Sequence, residues 1–103
     1  MKYISPDRSA VYYLSERLDG RLEGIRLGRT TGAYGFVSEG PLEDFRHPIT
    51  SVVRDETPSP LPIDRNALPP LLATVLGPIA EEHPEVLDVI EGRLTIFEVL
   101  ANV

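Results

Sequence analysis

The chain has 103 residues, no cysteine, no tryptophan and a formal net charge of −6 from 16 acidic and 10 basic side chains. This length suits one domain with a single core. The missing cysteines exclude disulfides, thiolate nucleophiles and thiolate metal sites. The acidic balance argues against nucleic-acid binding, because such proteins neutralise phosphates with basic groups.

No segment predicts a targeting signal or a membrane span. Residues 1–7 lack the apolar core of a signal peptide. No apolar run approaches the roughly 18 residues that a spanning helix needs. We therefore expect a cytoplasmic protein that does not contact a membrane.

The pattern of apolar residues divides this single domain, 1–103, into two halves. Residues 1–56 alternate as strands do, whereas residues 64–103 show helical spacing. Between them, the prolines of the connector 57–63 favour an extended polyproline conformation. The order predicts an α+β fold, an antiparallel β-meander of four to five strands followed by two to three short helices packed on one sheet face.

The first strands are predicted from a hairpin signal. A short strand from Lys2 precedes an alternating run, and Asp19-Gly20 then predicts a two-residue type I′ turn in which both residues have positive φ. The return strand changes phase after Leu22. We expect a bulge at Glu23-Gly24 that restores its apolar side chains to one face.

Two later strands complete the predicted meander. Tyr34 and Phe36 mark the fourth strand, and residues 49–54 mark the fifth. The turn at Ser5-Pro6-Asp7-Arg8 is expected to join the first two strands.

The first helix is predicted over 66–80 with Asn66 as its cap. Gly77-Pro78 should kink or end it near Thr74, because the proline ring clashes with a carbonyl one turn back.

Two shorter helices are expected after it. One should start at Pro84 and end at Gly92. The other is marked by Thr95 and Glu98, which match the capping box.

The chain contains no recognisable catalytic or metal-binding arrangement. The glycine-rich run 28–37 lacks a phosphate-loop lysine. His47 and His83 lack the spacing of zinc ligands. No serine lies in a nucleophile elbow. We expect no catalytic residue, metal or cofactor. A protein that is not an enzyme is favoured, and a catalytic site assembled from residues distant in sequence stays open.

The most informative segment is 66–80, which carries no charge over 15 residues. One face of this helix is an apolar stripe that should pack on the sheet, and the opposite face is small and neutral where a solvent-facing helix usually carries charge. The opposite face is either buried under the later helices or contacted by another protein, possibly a second copy. The candidate partner-binding residues are Pro70, Ala73, Thr74, Gly77 and Pro78.

Two functions remain open. The first is a small acidic interaction module, such as an inhibitor, an immunity-type protein, an adaptor or an assembly subunit. The alternative is a small-molecule or anion-binding domain near the sheet aromatics, with Arg29, Thr30, Thr31 and Tyr34 as its candidate ligand-binding residues.

Overall fold

A computed structural model describes residues 1–5, 7–30, 32–38 and 57–101. Its five strands pair in chain order with antiparallel neighbours, so the predicted α+β meander followed by short helices is confirmed. The strands are β1 (Lys2–Ile4), β2 (Ala10–Glu16), β3 (Leu22–Gly28), β4 (Gly32–Ser38) and β5 (Thr57–Ser59). A short 3₁₀ helix (Arg65–Ala67) precedes α1 (Pro70–Glu82), α2 (Glu85–Ile90) and α3 (Ile96–Ala101).

The predicted bulge in β3 is wrong. Glu23 pairs with Ser15 and Gly24 pairs with Leu14 in an uninterrupted register. The change of phase has another cause, because both faces of the sheet are apolar. Leu22 packs in one cluster and Ile25 in the other, on opposite sides of the strand.

The β2–β3 connection is a hairpin, as predicted, but its turn type differs. Arg17 N–H donates to Arg21 O at 2.8 Å, and Gly20 N–H donates to Arg17 O at 3.0 Å. Gly20 has a φ of 84°, whereas Asp19 has no positive φ. This pattern is a three-residue loop closed by a left-handed glycine, rather than a type I′ turn. The Asp19 carboxylate accepts the Arg21 N–H at 3.0 Å and stabilises the loop.

The proline connector contributes a strand to the sheet. Within it, β5 pairs with β4 so that Pro58 lies opposite Tyr34. Proline is tolerated here because an edge strand needs hydrogen bonds on one side only. The strand predicted at 49–54, like His47, lies outside the described residues.

Helix α1 begins and ends later than predicted. Asp64, rather than Asn66, caps the 3₁₀ helix by accepting the Asn66 N–H at 3.0 Å. α1 then starts at Pro70 and continues through Pro78 to Glu82, so the expected end near Thr74 is wrong. The buried residues of α1 extend on both sides of Thr74, and this packing outweighs the hydrogen bond that Pro78 cannot make.

The two shorter helices agree with the sequence pattern. α2 follows Pro84, and Gly92 adopts a left-handed φ of 81° just beyond it. The predicted capping box of α3 is confirmed: Thr95 N–H donates to Glu98 Oε2 at 3.0 Å, and Glu98 N–H donates to Thr95 Oγ1 at 3.2 Å. Among the described residues, no helix has both the length and the apolar character to cross a bilayer.

The main core lies between the sheet and the helices. α1 contacts β2, β3 and β4, and its buried side chains meet those of the sheet. The sheet contributes Val11, Tyr13, Ile25, Leu27 and Ala33 to this core, and α1 contributes Leu72, Val75, Leu76 and Ile79. A second cluster on the opposite sheet face contains Ala10, Tyr12, Leu14, Leu22 and Phe36.

Gly35 sets how closely α1 approaches the sheet. A Cβ added to Gly35 would lie 3.0 Å from Leu72 N and 3.1 Å from Leu72 Cα. These contacts are with helix backbone, which cannot rotate away as a side chain can. The helix therefore packs directly over a position where the sheet has no side chain.

We expect Gly35→Ala to destabilise the domain by about 1–3 kcal/mol, because the added methyl group forces α1 away from the sheet. Urea unfolding followed by circular dichroism measures the change. Gly20→Ala is not a suitable control, since Gly20 has a positive φ. Gly77→Ala adds the same methyl group where it meets nothing within 4 Å beyond its chain neighbours and its own helix backbone, so a smaller change is expected there. An unchanged free energy of unfolding in Gly35→Ala would show that α1 does not contact this strand.

Candidate functional site

The five residues predicted to bind a partner lie together on one exposed face of α1. Pro70, Ala73, Thr74, Gly77 and Pro78 recur at the spacing of a single helix face, and all of them are exposed. The buried side chains of α1 lie on the other side, against the sheet. Of the two interpretations of the neutral face, burial under the later helices is therefore excluded. We call this exposed set the α1 face.

A groove runs beside the α1 face. Its volume is about 470 Å³, and it is lined by Arg65, Leu68, Ala73, Leu76, Gly77, Ala80, Glu81 and Leu87. The two charged residues of this set are Arg65 and Glu81, and the others are apolar or small. An apolar centre with charged residues beside it is the ordinary composition of a protein-binding surface.

Gly77 lies in α1 directly before Pro78, where a residue with a Cβ would crowd the proline ring. Apart from its chain neighbours and the backbone of its own helix, a Cβ at this position meets no described atom within 4 Å, and its φ is not positive. Glycine in the middle of a helix costs about 0.5–1 kcal/mol relative to alanine. The junction with Pro78 offsets part of that cost, and the missing side chain also leaves this part of the α1 face small.

Thr74 adds no free hydrogen-bond donor to the α1 face. Its hydroxyl donates to Pro70 O at 2.8 Å, one turn back along the same helix. A partner that covers this hydroxyl therefore displaces water from its acceptor lone pairs but leaves no donor unsatisfied. The face is therefore small, uncharged and inexpensive to dehydrate.

The residues of the alternative ligand site are only partly brought together. Arg29 and Thr30 line a cavity of about 420 Å³ with Pro58, Ser59, Pro60 and Leu61. Tyr34 does not line it, and its ring lies 5.5 Å from the Arg26 guanidinium carbon. Thr31 lies outside the described residues.

The sheet aromatics act mainly in packing. Tyr12 and Phe36 are buried in the second cluster, where their rings form an edge-on pair with centroids 5.9 Å apart. Tyr13 lies on the other sheet face, in the main core. These rings therefore do not enclose a shared pocket with Arg29.

Phe97, which lies beside Arg29, was not among the site residues predicted from the sequence. Phe97 is 56% exposed, and its ring centroid lies 4.7 Å from the Arg29 guanidinium carbon. A signal was present in the sequence, because the buried stripe of α3 is Ile96, Val99 and Leu100. Phe97 falls outside that stripe, which predicts an aromatic ring facing solvent.

Tyr13 and the charged side chains around it form a second cluster of polar residues. The Tyr13 side chain is fully buried, and its hydroxyl makes no hydrogen bond of good geometry in the part of the chain that is described. The Glu85 carboxylate lies 3.6 Å from Lys2 Nζ and 3.7 Å from His83 Nδ1. Burial first, then the charge of Glu85 and the interaction of its carboxylate with the phenol hydrogen, raise the pKa of the Tyr13 phenol above its usual range.

This arrangement does not favour catalysis by Tyr13. A phenol with a raised pKa stays protonated at neutral pH, so it cannot act as a base or nucleophile. Within residues 1–5, 7–30, 32–38 and 57–101, no three histidine or acidic side chains are placed to hold a metal ion.

Comparisons with known proteins identify no relative. No protein-family model matches this chain, and no curated protein or solved structure is significantly similar to it.

We expect Tyr13→Phe to leave the domain as stable as before or to stabilise it by about 1 kcal/mol, because it removes a buried hydroxyl whose interaction with Glu85 lacks good hydrogen-bond geometry. The gain should grow above pH 10.0, the ordinary pKa of the phenol, since ionisation then favours the unfolded wild-type chain. Urea unfolding at neutral and alkaline pH measures both effects.

Tyr34→Phe serves as the control for this change, because Tyr34 is only partly buried. A loss of more than about 1 kcal/mol in Tyr13→Phe at neutral pH would show that the hydroxyl is hydrogen-bonded in solution.

Proposed function

We propose that this protein is a small acidic, non-enzymatic interaction module that binds another protein through the α1 face. An inhibitor, an immunity-type protein, an adaptor and an assembly subunit all work in this way. The partner is another protein chain, either a foreign protein or a second copy of this one.

The exposed, small and uncharged α1 face is the observation that carries this proposal. Gly77 has no side chain, and a Cβ there would meet no described atom within 4 Å beyond its chain neighbours and its own helix backbone. Its neighbours on the face, Ala73 and Thr74, are small and uncharged as well. A surface of this kind allows a partner's backbone or a bulky side chain to approach the helix axis closely.

The groove lies along α1, which is long enough to pack against a partner helix. α1 has 13 residues and is therefore about 20 Å long. An amphipathic helix lying in such a groove would place apolar residues against Leu68, Leu76 and Leu87. Arg65 and Glu81 offer opposite charges for fixing its orientation.

We place this module in the cytoplasm and assign it no nucleic acid, membrane, metal or cofactor. The charge of −6 supports the choice of a protein partner over a nucleic acid, because an acidic surface repels phosphates.

We expect Ala73→Glu and Thr74→Arg each to abolish association while the fold is retained. Both positions are exposed, so their effect on the free energy of unfolding should stay within about 0.5 kcal/mol. Affinity capture from the source cells detects a foreign partner, and light scattering across a concentration series detects a second copy.

Two variants match these changes in net charge at a distance from α1. Arg17→Gln lowers the charge by one unit, as Ala73→Glu does, and Glu16→Gln raises it by one, as Thr74→Arg does. Both residues lie at or beside the exposed β2–β3 hairpin. If association survives in the two α1 variants, or is lost equally in the two controls, the α1 face is not the interface.

Gly77→Ala should separate stability from binding. We expect the free energy of unfolding to change by less than about 1 kcal/mol, because the better helix propensity of alanine is opposed by crowding of its Cβ against Pro78. Association should weaken, because the methyl group occupies the space that a close partner uses. Urea unfolding and the same association assay give the two values. A variant that keeps its fold and binds as well as wild type would contradict close approach at Gly77.

A further inference from the structure

A cleft separate from the α1 face lies between the β3–β4 turn, the connector and α3. Two cavities adjoin here, of about 420 Å³ and about 230 Å³, and they share Gly28, Arg29 and Leu61. Together they approach the size of ordinary small-molecule sites. Arg29 belongs to the wall of both, so its guanidinium is available to a molecule lying in either.

Arg29 has no acidic partner among the described residues. Its guanidinium contacts the Phe97 ring and donates a long bond of 3.4 Å to Arg8 O. Other described arginines lie within 4.0 Å of a carboxylate, namely Arg17, Arg21, Arg65 and Arg93. A guanidinium carries five donors, so most of those on Arg29 remain free for a ligand.

Arg29 is held at its backbone, where its N–H donates to Ser9 O at 2.9 Å. The neighbouring Asp7 carboxylate is engaged locally, because it accepts hydrogen bonds from the Ser5 and Ser9 hydroxyls. The Arg8 guanidinium is likewise engaged, since it donates to Leu100 O at 2.6 Å. The cleft thus holds one available guanidinium, that of Arg29, on a positioned backbone.

The rest of the smaller cavity is mainly apolar. Its aliphatic and aromatic side chains are those of Leu61, Pro62, Val89, Leu94, Ile96 and Phe97. Inorganic phosphate would leave these groups exposed to water. A ligand that fills the cavity needs an apolar body as well as an anionic group.

We propose that this cleft binds a small organic carboxylate with an apolar body. Its carboxylate accepts hydrogen bonds from the Arg29 guanidinium, and its apolar part lies against Leu61 and Phe97. A single carboxylate matches the single available guanidinium in charge and in planar geometry. This site does not depend on the α1 face being an interface.

The test is a titration of the ¹⁵N-labelled full chain with 3-phenylpropionate, followed in ¹H–¹⁵N spectra. We expect saturable shifts at the amides of Gly28, Leu61 and Phe97. The affinity for the uncharged analogue 3-phenylpropanol should be lower by at least about tenfold, because it lacks the charge-assisted bonds to Arg29. This comparison uses the wild-type chain and therefore needs no variant to fold.

Variants then locate the binding. Arg29→Gln should weaken it by about tenfold or more, whereas Arg29→Lys, which keeps the charge, should retain part of the affinity. Arg17→Gln, at the opposite end of β3, should bind as wild type does. A dispersed spectrum in each variant verifies that the fold is intact.

Several results would overturn the proposal. These are the absence of saturable shifts up to the solubility limit of the acid, equal binding of acid and alcohol, and unchanged binding in Arg29→Gln. A parallel titration with inorganic phosphate that moves the same amides with equal affinity would also overturn it, because the apolar body would then contribute nothing.

Discussion

The close approach of α1 to the sheet over Gly35 is the constraint on which the other features depend. The helix backbone lies where a strand side chain would otherwise be. The inner residues of α1 then reach the core of β2, β3 and β4. Because this packing buries one side of the helix, the opposite side faces outward. The position of the α1 face therefore depends on the missing Cβ of Gly35 on β4.

The two proposed sites rely on different physics. The α1 face has no charge, so its affinity would come from dehydration and close packing, and would vary little with salt. The Arg29 cleft offers a free cation, so its affinity would contain an electrostatic part that salt screens. They lie on different elements, so two different molecules could bind at the same time. A small ligand beside α3 and a protein on α1 would then be bound by one domain.

The sequence predicts the fold class well, because alternation and helical spacing extend over long segments. The sequence predicts less where the effect of a residue depends on tertiary packing. The phase change after Leu22 looks like a bulge only if one sheet face is apolar, and here both are. Pro78 looks like a helix end only if packing on either side is ignored. Phe97 was not predicted as a site residue because its contact with Arg29 is formed by the tertiary structure. The two residues are 68 positions apart in the sequence.

The proline in β5 has a consequence for the behaviour of this sheet in a crowded solution. Pro58 lacks an N–H, so a strand arriving at the outer edge of β5 would find one donor fewer to pair with. With only three residues, β5 also offers a short template. Among the described strands β5 is the last, so the proline makes edge-to-edge pairing with another sheet less favourable at this end of the meander.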